Sequence, residues 1–356
     1  MLQYLGTHYS FNEGKAMLDR YARQTLFGPI GKAGQERLHA ATVTIVGCGA
    51  LGTMLANNIG RAGIGRVVIA DRDFVELTNL QRQTLFEEED VARHVPKAIA
   101  AAERLRRINS EIKVEALVED INVDGIEALV ADTDLVLDAT DNFETRYLLN
   151  DVCIKHQRPW IYSGVVASYG VTMNILPHDT ACLRCVFSEL PLPGATPTCD
   201  TAGILNGVVG AIAGIASTEA LKILLHSEAT SRAMYWLDLW ENTSERIELP
   251  RQPECPACGQ HHYEFLDALD GNRSTTLCGR NAVQVRPQIK KDTQLDFSTL
   301  AHQLAPATDK VGYNEFLLRF TVDGYECTVF PDGRAIIKGT DSEQAARSVY
   351  ARYIGM

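Results

Sequence analysis

Four cysteines fall into two pairs of one spacing, Cys182-Leu-Arg-Cys185 and Cys255-Pro-Ala-Cys258-Gly. A C-x-x-C turn directs two thiolates to one point, and a second such turn completes a tetrahedral shell of four sulfurs suited to Zn²⁺. With four protein ligands no position is left for water, so a metal held there is structural. One pair alone would equally suit buried or redox thiols. Two pairs, the second carrying Pro256 and followed by Gly259, favour metal. Their distance in sequence ties two far segments of one domain together rather than folding a small finger. The other cysteines, Cys48, Cys153, Cys199, Cys278 and Cys327, are scattered, and the first twenty residues carry no secretory pattern. That reads as a reducing, cytoplasmic setting.

A second constellation begins at Gly47-x-Gly49-x-x-Gly52. Glycines there let backbone approach a phosphate or ribose, and a helix N-terminus favours negative charge. Asp71 stands where an acid would bond ribose hydroxyls. Alone, this pattern favours NAD(P), or a glycine turn with no ligand. Three cations change the balance: Arg23 before the motif, Arg82 and Lys97 after it. Backbone amides largely suffice for a dinucleotide's pyrophosphate, whereas a triphosphate under displacement develops charge on its leaving group and calls for cations. Asp141 is placed to hold Mg²⁺, a hard ion that prefers carboxylate and phosphate oxygens. Any one of these residues read alone is a solvated surface charge. Together they point to nucleotidyl transfer.

These residues need strands and helices to position them. Ala41–Val46 is a β-branched apolar run of strand length, followed by the glycine motif, a helical pattern from Met54 to Arg61 and a second strand, Arg66–Ala70, that ends on Asp71. That is a βαβ unit. A helix is expected over Pro96–Arg107, a strand at Lys113–Leu117, a helix at Gly125–Ala131, and a buried strand, Asp134–Asp138, that delivers Ala139-Thr140-Asp141-Asn142 at its carboxyl end. Strands at Arg158–Gly164 and Val171–Leu176 follow, and a helical stretch is expected over Glu13–Ala40. The apolar run Ala202–Ala216 is too short for a membrane span and contains Asn206, so it reads as a buried helix. The fold class is α/β: a Rossmann-like, mostly parallel sheet with antiparallel additions and the cysteine site, plus a small C-terminal α+β domain. Boundaries are expected at 1–264, a linker at 265–281, and a βαβββα domain at 282–356. The chain has 356 residues, 46% of them hydrophobic, ample for both. Its net charge of −11 argues against nucleic acid as main partner.

With these motifs assembled, the chain resembles the E1-like activating family of the ThiF, MoeB and HesA kind. The matching pieces are Arg20-Tyr-x-Arg23-Gln24, the Gly47–Gly52 motif, Asp71-x-Asp73, Asn79-Leu80-Gln81-Arg82-Gln83, Pro96-Lys97, Ala139-Thr-Asp-Asn142 and both cysteine pairs, in the family's order from residue 18 to 260. The resemblance implies ATP-dependent adenylation of the C-terminal glycine carboxylate of a small ubiquitin-like sulfur carrier ending in Gly-Gly, in thiamine, molybdopterin or related sulfur transfer. It implies ATP contacts at Gly47, Gly49, Ala50, Gly52, Asp71, Thr78, Asn79, Leu80, Gln81, Arg82, Lys97, Asp141 and Asn142, with Mg²⁺ at Asp141. It makes Arg23 a phosphate contact supplied across a homodimer built on the 202–225 helix region, and Cys199 a thiol able to bond the carrier or relay sulfur. Ala50 replaces a glycine of the family pattern, which a backbone amide contact survives. Gly207 replaces a common proline, and the acidic Glu87–Asp90 region is lengthened. The tail beyond 265 lacks the active-site cysteine loop of a rhodanese-type domain and reads as a carrier-docking or dimer-stabilising module. The other readings are an E1-like enzyme with a peptide carboxylate or tRNA base as acceptor, an NAD-dependent oxidoreductase, and an adaptor without catalysis.

Overall fold

In the computed structural model the described residues are 20–119, 121–190, 199–267, 274–277, 281–285, 295–308 and 310–354. They form two compact units. One comprises the described residues up to Leu190 together with Ile204–Leu266; the other comprises those within Pro191–Gly203 and Asp267–Met356.

The first unit is built on eight strands: β1 (Thr42–Val46), β2 (Arg66–Ala70), β3 (Lys113–Leu117), β4 (Leu135–Asp138), β5 (Trp160–Val166), β6 (Tyr169–Ile175), β7 (Met234–Asp238) and β8 (Thr243–Ile247). Their order is β3-β2-β1-β4-β5-β6-β7-β8. From β3 to β5 every pairing is parallel, and from β5 to β8 every pairing is antiparallel. β1 is buried from Val43 to Val46 and β4 throughout, as strands covered on both faces require. Val43 and Ile45 join the core beneath the Ala50–Ala62, Lys97–Ile108 and Asn206–Leu224 helices. Val46, Val136 and Trp160 face the opposite core, against Tyr147, Leu149 and Val152 of the Phe143–Lys155 helix. Side-chain alternation along each strand thus feeds two separate cores.

Register decides where the chemistry lies. Val46 pairs with Ala70 on one side and Asp138 on the other. Gly47, Asp71 and Ala139 therefore leave the sheet at one edge, the carboxyl end of three neighbouring strands. The order reverses between β1 and β4, and such a switch point is where open α/β sheets hold ligands.

One element differs from the sequence expectation and two lie where the sequence carries no clear pattern; residues 13–19 of the expected N-terminal helix lie outside the described residues. The N-terminal helical stretch is broken: Ala22–Thr25 and Gly31–Ala40 are separate helices, and Gly31 has φ +56°, a left-handed conformation that ends continuity. The Phe143–Lys155 helix shows no apolar periodicity because Arg146 through Ile154 are all buried. β8 is exposed over most of its length and so carries no alternation to read. The acidic Glu87–Asp90 segment is ordered as the start of a short helix, Glu88–Ala92, closed by a capping box between Glu87 and Asp90. Among the described residues one helix, Asn206–Leu224, is long and apolar enough to cross a membrane. Here it packs Val208, Val209, Ile212 and Ala216 into the first core, leaving Gly207, Gly210 and Thr218 exposed.

The second unit is an antiparallel sheet of six strands, ordered β11-β12-β13-β14-β10-β9. These are β9 (Ser274–Leu277), β10 (Ala282–Val285), β11 (Val311–Tyr313), β12 (Leu318–Val322), β13 (Tyr325–Val329) and β14 (Ala335–Lys338). β9 lies inside the stretch read as a linker and pairs with β10. The element sequence is thus ββαββββα rather than βαβββα. One sheet face, with Leu318, Phe320, Cys327, Val329 and Ile337, packs on Leu300 and Leu304 of the Phe297–Leu304 helix and on Val349 and Tyr350 of the Glu343–Tyr353 helix. The Asp323-Gly324 turn has both residues at positive φ, +50° and +84°, as the tight hairpin signal requires.

Candidate functional site

The glycine loop is shaped by close contacts. Gly47 has φ +91°, and a Cβ there would stand 2.5 Å from the carbonyl oxygen of Ala139. A Cβ on Gly52 would lie 2.0 Å from the carbonyl oxygen of Gly47. Gly49 differs. Its Cβ would meet only Gln83 Nε2 at 3.9 Å, so the space before it is open. Gly49 also N-caps the Ala50–Ala62 helix without any side-chain cap. The first amides of that helix are left for an external acceptor, the arrangement that suits an anion.

Asp71 is fixed at both oxygens. Cys48 N–H donates to Oδ2 at 2.6 Å and Asp73 N–H to Oδ1 at 2.7 Å. Burial pushes the Asp71 carboxyl up, and the nearby Lys97 ammonium opposes that shift. Lys97 begins the Lys97–Ile108 helix, is only 4% exposed, and places Nζ 3.2 Å from Asp73 Oδ2. The Cys48 thiol, fully buried, is pushed well above its usual range and is inert as a nucleophile.

The turn carrying Thr78 to Arg82 hangs on Asn79. Its buried side chain accepts the Glu76 N–H at 3.1 Å, and a capping box with Glu76 completes the turn. Arg82 lies half-buried, with Nη1 donating 2.8 Å to Thr78 O. Thr78 and Gln81 are exposed and Leu80 is half-buried.

At the end of β4 the structure holds a device the sequence reading missed. Asp138, fully buried, accepts from Thr140 N–H at 2.9 Å, from Thr140 Oγ1 at 2.7 Å and from Arg146 Nε at 3.1 Å. Arg146 Nη2 also donates to Thr140 O at 2.6 Å and Ser163 O at 3.3 Å. Burial pushes the Asp138 carboxyl up, and the Arg146 guanidinium and the Thr140 bonds oppose that only in part. This pair locks the loop that exposes Asp141. Asn142 uses its side chain to cap the next helix, accepting Thr145 N–H at 2.8 Å. A charged residue four positions past a helix cap, directly before the apolar Tyr147-Leu148-Leu149, was the available signal for Arg146.

Arg23 is exposed and has no ion pair or hydrogen bond among the described residues. Its neighbours anchor it. Arg20 pairs with Glu111 at 3.3 Å, Tyr21 OH accepts from Asn109 Nδ2 at 2.8 Å, and Gln24 Nε2 donates to Ala62 O at 2.8 Å. The motif around Arg23 thus divides into three anchoring side chains and one outward cation, beside the exposed Leu26 and Phe27. A second apolar exposure, Leu205, Leu239 and Trp240, adjoins the exposed side of the Asn206–Leu224 helix, where a groove of about 420 Å³ runs along Gly210, Gly214 and Thr218.

The four paired cysteines converge. Their Sγ atoms all lie within 4.8 Å of one another. Cys182 Sγ is 3.9 Å from that of Cys185 and 3.5 Å from that of Cys255; Cys185 Sγ is 3.4 Å from that of Cys258. They sit at the margin of the second core. Cys199 begins the short Cys199–Ala202 helix, but its side chain lies outside the described part of the structure, as does Cys278. His261 and His262 are exposed.

The ThiF family model matches residues 21–257. The sulfur carrier protein ThiS adenylyltransferase of Bacillus subtilis is 43% identical over 341 residues, covering 95% of this chain and 100% of that protein. The SAMP-activating enzyme E1 of Haloferax volcanii is 37% identical over 254 residues, 71% of this chain and 93% of that one. Among solved structures, Escherichia coli MccB with ATP aligns at a TM-score of 0.59 and 24% identity, over 68% of this chain and 74% of that one, which is a likeness of fold.

Proposed function

This chain belongs to the ThiF family, and on that premise we propose that it adenylates the C-terminal glycine carboxylate of a small ubiquitin-like sulfur carrier ending in Gly-Gly, releasing pyrophosphate. The observation that carries the reading is the cluster at one sheet edge: an open glycine loop with uncapped helix amides, Asp71, and the buried cation Lys97. The relative that covers the C-terminal unit as well is named for ThiS, which favours a ThiS-like carrier and thiamine synthesis over the molybdopterin route.

The chemistry follows from charge. An α-carboxyl group titrates near about 3.3–3.7, so the attacking carboxylate is ionised at neutral pH and needs no general base. Its oxygen attacks the α-phosphorus of ATP in line, the bond from that phosphorus to the bridging oxygen breaks, and pyrophosphate leaves with the electron pair. Asp71 holds the ribose hydroxyls, and amides from Gly49 to Gly52 together with the Thr78–Arg82 turn line the phosphates. Lys97, Arg82 and Arg23 neutralise charge on the leaving pyrophosphate. Mg²⁺, held at the exposed Asp141, would neutralise phosphate oxygens in the same way.

Arg23 is assigned to the site of a second copy. An outward cation beside Leu26 and Phe27, and a helix face of small residues beside Trp240, suit a homodimer that completes each active site. Zinc suits the four thiolates, because Zn–S bonds of about 2.3 Å put tetrahedron edges at about 3.8 Å, against three Sγ pairs at 3.4 to 3.9 Å and all four within 4.8 Å of one another. Adenylation is assigned to residues 1–264, and carrier docking or dimer support to the 282–356 domain. Cys199 is a candidate for covalent attachment of the carrier. A cytoplasmic location accords with the free thiols among the described residues.

The test is ATP–pyrophosphate exchange with Mg²⁺ and a panel of carriers, each beside its version lacking the terminal Gly-Gly. Exchange that requires one intact carrier supports the proposal; exchange without any carrier, or equally with truncated ones, contradicts it.

A further inference from the structure

Asp73 has no role in the scheme above, yet it joins the two groups that scheme needs most. Its Oδ2 lies 3.2 Å from Lys97 Nζ, and its carbonyl accepts the Lys97 backbone N–H at 2.9 Å. Its own N–H donates to Asp71 Oδ1 at 2.7 Å, while Asp71 Oδ2 accepts from Cys48 N–H at 2.6 Å. One chain of contacts thus runs from the glycine loop through both acids to the buried lysine. The second Asp73 oxygen lies 3.9 Å from Arg72 Nε, so the carboxylate is held between two cations.

Lys97 is 4% exposed, so water contributes little to orienting its ammonium. Asp71 and Lys97 attract one another, and each is needed by a different part of the nucleotide. A lysine that closed on Asp71 would withdraw the ribose acceptor and the phosphate cation in one movement. We propose that Asp73 is a positioning residue that holds the Lys97 ammonium toward the phosphates and keeps Asp71 open to the ribose. The assignment rests on the ATP reading of the site.

The test uses Asp73→Asn, which keeps shape and removes charge, Lys97→Met, and the double variant, all in the full chain. ATP affinity is measured by calorimetry and turnover by carrier-dependent pyrophosphate exchange. A displacement of about 1 Å at a reacting centre costs about 100-fold in rate, so Asp73→Asn should slow exchange about 10- to 100-fold. If Asp73 acts through Lys97, the double variant is no slower than Lys97→Met alone. A purely structural Asp73 would instead multiply its loss onto Lys97→Met, and that result overturns the proposal. So does Asp73→Asn turnover within about twofold of wild type, a change too small for a lost positioning contact. Should Asp73→Asn not fold, Asp73→Glu keeps the charge and shifts it by one methylene. Its expected loss is of similar size, and wild-type turnover there also overturns the assignment. A wild type that binds no ATP removes the underlying reading; ATP binding and exchange with multiplicative losses removes only the role of Asp73.

Discussion

Replacing Asp151 with asparagine should stabilise the protein at neutral pH, and the gain should fade as pH falls from about 6 to about 4. Asp151 lies in the Phe143–Lys155 helix, fully buried, with Oδ2 accepting the Phe265 N–H at 2.9 Å. Its Oδ1 has no hydrogen-bond partner among the described residues. Burial pushes its carboxyl from the ordinary 3.8 up to about 6, against the pull of the Phe265 amide and the Arg184 guanidinium. A folded-state pKa above the unfolded value means that the favourable contribution is full below about pH 4 and is lost as pH rises through 6. A shift of about two units corresponds to about 3 kcal/mol, charged against the fold at neutral pH. Asparagine can keep the bond to Phe265 and carries no charge, but it sets an amide where the unpartnered oxygen stood, at about 1–2 kcal/mol. The net expectation is a gain of about 1–2 kcal/mol at pH 8, or a few degrees in Tm for a unit of this size. At pH 4.5 the gain should vanish or reverse. The assay is thermal unfolding of both proteins across pH 4.5 to 8. An Asp151→Asn protein that is less stable at pH 8, or whose offset from wild type does not change with pH, refutes the reasoning.

Arg146→Ala leaves the Asp138 carboxylate buried without its cation, which should cost about 3–5 kcal/mol; denaturant unfolding reads the loss, and a change below about 1 kcal/mol contradicts the pairing. Gly49→Ala and Gly52→Ala should separate ligand space from packing. The first should leave Tm within a degree or two while weakening ATP binding about tenfold or more by filling the open cradle, whereas the second should lower Tm through its clash with the Gly47 carbonyl. Cys255→Ser should lose bound zinc by atomic absorption and lower the unfolding temperature, and a chelator should do the same to wild type; unchanged stability in both would argue for simple thiols. Mixing Arg23→Ala with Lys97→Met protein should recover exchange if Arg23 acts across a dimer, since one site of the mixed pair is then complete. No recovery places Arg23 in its own chain's site.

Much of this architecture was legible because buried strands and glycines leave strong marks. β1, β2 and β4 are short, mostly apolar and β-branched runs, and the chain changes character at their carboxyl ends, at Gly47, Asp71 and Asp138. The cysteine spacing alone predicted a convergence that the Sγ separations display. What escaped the sequence lacked periodicity. The Phe143–Lys155 helix is buried on every side, so its Arg146, Asn150 and Asp151 looked like interruptions rather than internal ties. β8 is exposed, and β9 is a four-residue strand paired with one close by in sequence. The link from Asp73 to Lys97 spans 24 positions and depends on the bridge between Phe74 and Pro96, which residue types do not encode.

The central claim is that the carrier's carboxylate takes the adenylyl group of ATP. The most direct measurement supplies the protein and a Gly-Gly carrier with ATP labelled with ³²P at the α-phosphorus, or in parallel at the γ-phosphorus, and asks which label stays on the carrier. The account predicts α-label on the intact carrier, absent from the truncated one and released as AMP by hydroxylamine. Label from the γ-position on the carrier, or none from either, would contradict it.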